Sequence, residues 1–514
     1  MSKRLELTWI GKDEVIRPEP RILLERADLS NTNRDPNTQN ILINGDNLLA
    51  LKSLEHEFAG KIKCIYIDPP YNTGSAFEKY DDNVEHSIWL SLMKPRLELL
   101  RNLLTKDGVL FVQIDENEYP YLKILLHEVF GRNNEIGDFI WQKKKGGGND
   151  SRYIATEHEN IIAMAKEKNA LPYWFTEYDA KYLTRYNEQD EHGRYFWDTY
   201  MRASGKQYYS ITCPDGTVLD KDRNGQPISW LRSEPRFKKD LEEGAARIIK
   251  VGDKWSVQFK QYMSEGKKPR SILTDLPTNA DAKNEIMGLF NDPKAFDFPK
   301  PEGLIKFLIA IVTKPGDIVL DSFLGSGTTA AVAHKMGRRW IGVELGDHAF
   351  THCKVRMDKV IEGEQGGISK AVGWNGGGGY RFYELAPSLI NIDEYGMEVI
   401  SDRYNAEMLA AAVAKHEGYT YAPNAEVYFK QGFAHEKSFI FVTTAAVTAQ
   451  YLDGIAAELG ADEFLLICTT NFDPECKRRH KNITVQKIPQ MLLDRCEFGK
   501  ENYNLNIRDG GSDA

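Results

Sequence analysis

The chain has 514 residues, 41% of them hydrophobic and 27% charged, enough apolar material for two or three packed domains. Six cysteines without a CxxC pair or zinc-type spacing argue against a disulfide framework or structural metal. With no apolar signal core and no run long enough to span a bilayer, a reduced, cytoplasmic protein is expected. The net charge of −9 speaks against a uniformly basic nucleic-acid binder, yet residues 194–270 hold 16 Lys/Arg against 10 Asp/Glu, the local sign that a phosphate-facing surface needs.

Residues 1–40 form a polar, proline-dotted extension. An α/β pattern then begins over 41–170. Ile41–Ile43 reads as a strand, Asn47–Leu54 as a helix, and Ile62–Ile67 as a buried strand that stops at Asp68. Ser87–Thr105 has helical spacing, Asp107-Gly108 predicts a turn into the strand Val109–Ile114, and Tyr119–Val129 is a further helix. Two more strands, Phe139–Trp141 and Asn160–Ala165, flank the basic glycine loop Lys143-Lys144-Lys145-Gly146-Gly147-Gly148. This alternation predicts an α/β fold with a doubly wound, mostly parallel sheet.

Residues 171–275 are rich in aromatics, charges and turn signals such as Pro214-Asp215-Gly216 and Asn224-Gly225, which predicts a mixed or mainly β insertion. The α/β pattern resumes over 276–363, with a helix at Pro301–Thr313, a strand at Ile318–Leu320, a helix at Thr328–Met336 and a strand at Trp340–Val343. The glycine-rich run 364–380 is the best linker candidate. Beyond it, 381–514 is expected to form a small α/β domain, with a βαβ unit over Phe439–Val442, Ala449–Leu459 and Phe464–Cys468 and a further strand near Asn482–Gln486. No catalytic constellation stands out there, and its expected role is protein contact.

Two motifs carry chemistry. Asp321-Ser322-Phe323-Leu324-Gly325-Ser326-Gly327-Thr328-Thr329 follows a strand and opens a helix, so its glycines allow a tight turn and close approach of a ligand. Glu344 ends the next strand, placed to hold ribose hydroxyls. Ala330 stands where a third glycine would, and no Walker lysine follows, which disfavours dinucleotides and nucleoside triphosphates. The second motif, Asp68-Pro69-Pro70-Tyr71, ends a buried strand where ligands of open α/β sheets bind. Its prolines fix rigid carbonyls and remove N–H donors. A carboxylate beside them makes an acceptor-only cluster suited to an –NH2 group, and Tyr71 offers a flat face for stacking. Accepting both N–H bonds of an aromatic amine returns its lone pair to nitrogen for in-line attack on a sulfonium methyl.

Together the motifs resemble the β class of amino-group DNA methyltransferases, with the tetrad preceding the cofactor loop and a recognition region between them. The resemblance spans about residues 40–360. It implies a Rossmann-like S-adenosylmethionine-dependent fold with a target-recognition insertion. It also implies that Asp46 contacts the cofactor's adenine, that Pro299 and Lys300 line its methionine part, that Asp321, Gly325 and Gly327 surround that moiety while Glu344 takes the ribose, and that Phe323 and Thr328 belong to the same cofactor site. Asp46 as a helix cap and Pro299-Lys300-Pro301 as a plain loop stay open beside these roles. The absence of a Pro-Cys dipeptide disfavours thiolate-based methylation of cytosine carbon 5. Asp rather than Ser at position 68 resembles the adenine-N6 enzymes.

The wording Asp68-Pro-Pro-Tyr-Asn-Thr-Gly74, the long insertion with Trp230-Leu231-Arg232, and the segment 482–498 resemble the modification subunit of type III restriction–modification systems. That implies double-stranded DNA as substrate, a homodimer, a helicase–nuclease restriction subunit as partner and a phage-defence setting. Lys143, Lys144, Lys145, Arg232 and Arg236 are candidate DNA contacts, each open to reading as ordinary solvated charge. Amino methylation of cytosine N4 or of RNA, and a DNA-binding scaffold with little activity, are the alternatives.

Overall fold

Ten strands, the central ones apolar and buried on both faces, assemble into one large sheet. The structure is a computed structural model that describes residues 6–71, 82–146, 153–176, 178, 180–264, 266–292 and 294–503. The chain divides into two compact units, Met1–Pro172 with Arg270–Ala514, and Tyr173–Pro269.

In the first unit the strand order is Leu23–Glu25, Arg381–Leu385, Ile41–Asn44, Arg339–Glu344, Ile318–Asp321, Ile62–Ile67, Leu104–Ile114, His158–Ala165, Glu135–Gln142 and Ile272–Leu273. From Arg381–Leu385 to Leu104–Ile114 every pairing is parallel. His158–Ala165 runs antiparallel to both of its neighbours, and Leu23–Glu25 antiparallel to Arg381–Leu385. The order reverses direction between Ile318–Asp321 and Ile62–Ile67, so a crevice opens at the carboxyl ends of these two central strands. The helices Asn47–Phe58, Asp82–Leu103 and Tyr119–Phe130 cover one side, and Leu48, Leu51, Trp89, Met93, Leu122 and Leu126 meet Ile65, Ile67, Leu110 and Val112 in the main core. No helix among the described residues is long and apolar enough to cross a membrane.

Three sequence expectations change. Asp107-Gly108 does not separate helix from strand: Leu104 already pairs with Ile62, and the register then slips so that Cys64 faces Val109. The extra residues bulge out, with Asp107 paired to Lys63. The run 364–380 is no free linker. A Cβ on Gly376 would meet the Ile361 carbonyl at 2.7 Å and one on Gly379 the Asn31 carbonyl at 2.6 Å, so these glycines serve close packing. Consequently the boundary expected at 381 falls inside the main sheet, where Arg381–Leu385 lies between a strand of the 1–40 extension and Ile41–Asn44.

Beyond that strand a five-stranded sheet runs Thr420–Tyr421, Gly432–His435, Ser438–Thr443, Phe464–Thr469 and Ile483–Lys487, with the expected parallel βαβ unit around the helix Ala449–Glu458. The second unit is mainly β: a four-stranded antiparallel sheet, two small ribbons, and the helix Glu234–Glu242. Its core gathers Tyr200, Ile211, Ile228, Trp230, Phe237, Val257 and Phe259.

Candidate active site

Strand register brings the two motifs together. Leu320 pairs with Ile65, so Asp321 and Asp68 leave adjacent parallel strands at the same end of the sheet. On the other side Asp321 pairs with Gly342, which places Glu344 just beyond, and Glu344 pairs with Asn44, two residues before Asp46. Four of the acids singled out in the sequence thus line one edge.

The glycine loop is shaped around its own acids. Gly325 (φ +55°) and Gly327 (φ +81°) occupy the left-handed region that glycine adopts without strain. Glu344 Oε2 accepts the Gly325 N–H at 2.5 Å, while Asp321 accepts the Phe323 N–H at 2.9 Å and the Thr329 hydroxyl at 2.6 Å. Burial pushes the Asp321 carboxyl up to about 7 and the Glu344 carboxyl up to about 8. Thr328 Oγ1 accepts from Arg356 at 2.8 Å and donates to the Lys300 carbonyl at 3.1 Å, tying the loop to the Pro299-Lys300 segment.

Asp46 is engaged locally. Its Oδ1 caps the helix Asn47–Phe58 through the Leu48 and Leu49 N–H groups, and its Oδ2 accepts the Tyr503 N–H at 2.9 Å. The capping alternative therefore describes this carboxylate as it stands. Its neighbour Asn47 reaches the Ser322 carbonyl at 2.9 Å, which fixes the helix start against the glycine loop.

At the tetrad, the Trp89 indole donates to the Pro70 carbonyl at 2.8 Å, so one of the two rigid carbonyls already has a partner. Asp68 Oδ1 accepts the Tyr71 hydroxyl at 2.7 Å, and Oδ2 accepts the Lys300 ammonium at 2.5 Å. Lys300, placed by resemblance against the cofactor's methionine, thus sits on Asp68 and lies 5.3 Å from the Tyr71 ring centroid. Burial raises the Asp68 carboxyl above its ordinary range, against the pull of Lys300. For Lys300, burial is outweighed by Asp68 and Glu159, and the amine is held as a cation. Asn72, Thr73 and Gly74, which follow the tetrad, lie outside the described residues.

Sequence reasoning missed a layer behind the tetrad. Glu159, on the antiparallel strand, accepts Gln113 Nε2 at 2.5 Å and lies 3.1 Å from the Tyr71 hydroxyl. Tyr66 in turn donates to Gln113 Oε1 at 2.7 Å. The available signal was a buried polar residue interrupting each of two apolar strands, Gln113 in Leu110–Ile114 and Glu159 before Ile161–Ala165.

Three of the five residues expected to contact DNA have carboxylate partners within the protein. Lys143 is no free cation, because its ammonium lies 3.2 Å from Glu159 Oε1. Lys144 and Lys145 lie at the start of the basic loop, and Gly147 and Gly148 are outside the described residues. In the second unit Arg232 and Arg236 converge, both at 2.8 Å, on the buried carboxylate of Asp240, which also accepts the Tyr200 hydroxyl at 3.0 Å. Both guanidinium groups brace their own unit, with side chains 40% and 47% exposed.

A family profile described as DNA methylase, covering N6 and N4 methyltransferases, matches residues 62–354, more than half of the chain and the span that holds the tetrad, the glycine loop and Glu344. The chain belongs to the DNA methylase family. Among its relatives, the "Probable type III restriction-modification enzyme HindVI Mod subunit" of Haemophilus influenzae is 35% identical over 405 residues, covering 68% of this methylase and 54% of the relative. The StyLTI Mod subunit of Salmonella typhimurium is 29% identical over 416 residues, 73% of this chain and 61% of that one. The EcoP15I Mod subunit of Escherichia coli is 28% identical over 472 residues, 76% and 72%. The methylase thus spans between half and two thirds of the length of the first two.

Proposed function

We propose that the methylase transfers a methyl group from S-adenosylmethionine to the N6 amine of adenine in double-stranded DNA, as the modification subunit of a type III-like restriction–modification system. The observation that carries this reading is the meeting of Asp68-Pro69-Pro70-Tyr71 with the Gly325–Gly327 loop and Glu344 at one edge of adjoining strands.

Glu344 and the loop would hold the cofactor, which supplies an electrophilic methyl on a sulfonium. The chain's own part is placement. The Asp68 carboxylate and the Pro69 carbonyl receive the amine's two N–H groups, since the Pro70 carbonyl is taken by Trp89. Tyr71 gives the ring a face to stack on, and the target base leaves the duplex to reach it. Asp68, raised by burial, also suits the proton that the methylated amine must shed.

The Mod names of three relatives support the type III setting; the partners proposed with it are a helicase–nuclease restriction subunit and a second copy of this chain. The unit Tyr173–Pro269, inserted between the halves of the methylase region, is assigned to target recognition. Sequencing that detects modified bases in DNA from expressing cells is the test. Expected is N6-methyladenine at one short recurrent site, lost in Asp68→Ala by about 1,000-fold or more with cofactor affinity retained. N4-methylcytosine, or full activity in Asp68→Ala, overturns the reading.

A further inference from the structure

Both oxygens of Asp68 are occupied, Oδ1 by the Tyr71 hydroxyl and Oδ2 by the Lys300 ammonium. On the function proposed above, an amine can be received only if one of these donors withdraws. Pulling a buried ammonium off the carboxylate it touches is costly unless another carboxylate receives it, because an unpaired buried charge would be left.

A second acceptor stands within reach of both donors. Glu159 Oε2 lies 3.1 Å from the Tyr71 hydroxyl oxygen and 3.9 Å from Lys300 Nζ. Tyr71 has one hydroxyl proton, so at any moment it serves one of the two carboxylates. Lys300 needs to move only roughly 1 Å to reach hydrogen-bonding range of Glu159. Burial disfavours the charged form of Glu159, but Lys300 and Lys143 outweigh it and hold the carboxyl below its ordinary range. The side chain is 5% exposed and is fixed by Gln113 on one oxygen and Lys143 on the other.

We propose that Glu159 is a positioning residue that takes Lys300 and Tyr71 over from Asp68 as the target amine enters, leaving Asp68 free to receive it. The exchange moves one ammonium between two carboxylates, so the site's charge balance is kept throughout. Glu159 touches neither base nor cofactor in this role, and it acts through the two donors it shares with Asp68.

The test uses the full chain, S-adenosylmethionine and an unmethylated duplex carrying the recognition site. Glu159→Gln keeps the shape but not the charge, and strands Lys300 on Asp68. Its kcat is expected to fall by about 30-fold or more, with cofactor Kd changed by less than about twofold. Adding Lys300→Met to that variant removes the trapped cation and is expected to return about tenfold or more of the lost kcat. A purely structural Glu159 gives no such recovery, since the second change removes one more ion pair. Should Glu159→Gln fail to fold, Glu159→Asp, which withdraws the charge by one methylene, is expected to show the same loss and the same recovery. Wild-type kcat in Glu159→Gln, or no gain from Lys300→Met, overturns the assignment. A wild-type chain that modifies no DNA overturns instead the function on which it rests.

Discussion

Burial has left Glu344 with a carboxyl pushed up to about 8 and Asp321 with one pushed up to about 7, and each meets donors from the glycine loop. A carboxyl whose folded pKa exceeds its unfolded one binds its proton more tightly in the native state. Stability from these two groups is therefore full below the ordinary carboxyl range and is lost as pH rises through about 7 and about 8. Denaturant titrations of the ligand-free protein should show stability falling across that window, and Glu344→Gln should remove part of the slope. If ribose hydroxyls bind the ionised form of Glu344, cofactor affinity should weaken by about tenfold for each unit below pH 8, and the dependence should vanish in Glu344→Gln. Calorimetry at several pH values checks both expectations. The acids themselves were legible in the sequence because each ends a strand. The contact of Lys300 with Asp68 was not, because the two lie 232 residues apart and only the fold joins them.

At the scale of elements, the site depends on how closely the glycine loop lies on the strand beside it. A Cβ on Gly342 would fall 2.5 Å from Leu324 Cδ2, and Leu324 is itself buried. Gly342→Ala should therefore push the loop outward and destabilise the protein by about 1–3 kcal/mol, the usual cost of overpacking a core. Thermal unfolding measures the stability, and cofactor affinity should fall with it; an unchanged melting temperature refutes the tight fit. The strand–loop–helix around Asp321 was readable because glycines, the preceding apolar run and the following Thr328–Lys335 helix all agree locally. The run 364–380 misled because glycine serves equally in free chain and in close packing, and composition does not separate the two. Only the approach of Gly376 to Ile361 and of Gly379 to Asn31 decides it.

For the molecule as a whole, part of the basic surplus of residues 194–270 already has partners within its own unit. Arg232 and Arg236 share Asp240, Arg247 lies 3.9 Å from the Trp197 ring centroid, and Lys260 pairs with Asp190 at 2.7 Å. These four cations are held by neighbours in their own unit. Alanine at Arg232 or Arg236 should accordingly lower the unit's thermal stability. Alanine at Lys144 or Lys145 should instead reduce the slope of DNA affinity against salt by about one each, without changing the sequence methylated. A salt titration of DNA binding for the four variants separates the two behaviours, and an unchanged slope in both lysine variants removes the basic loop from the interface.

The placement of Arg381–Leu385 inside the main sheet has a practical meaning for anyone who would trim this protein to its catalytic core. A truncation placed in the glycine-rich run looks reasonable on composition, yet it would strip the neighbour from Ile41–Asn44 and leave a row of peptide groups open to any passing chain. Such a fragment is expected to aggregate on expression, whereas one ending beyond Leu385 keeps that edge covered.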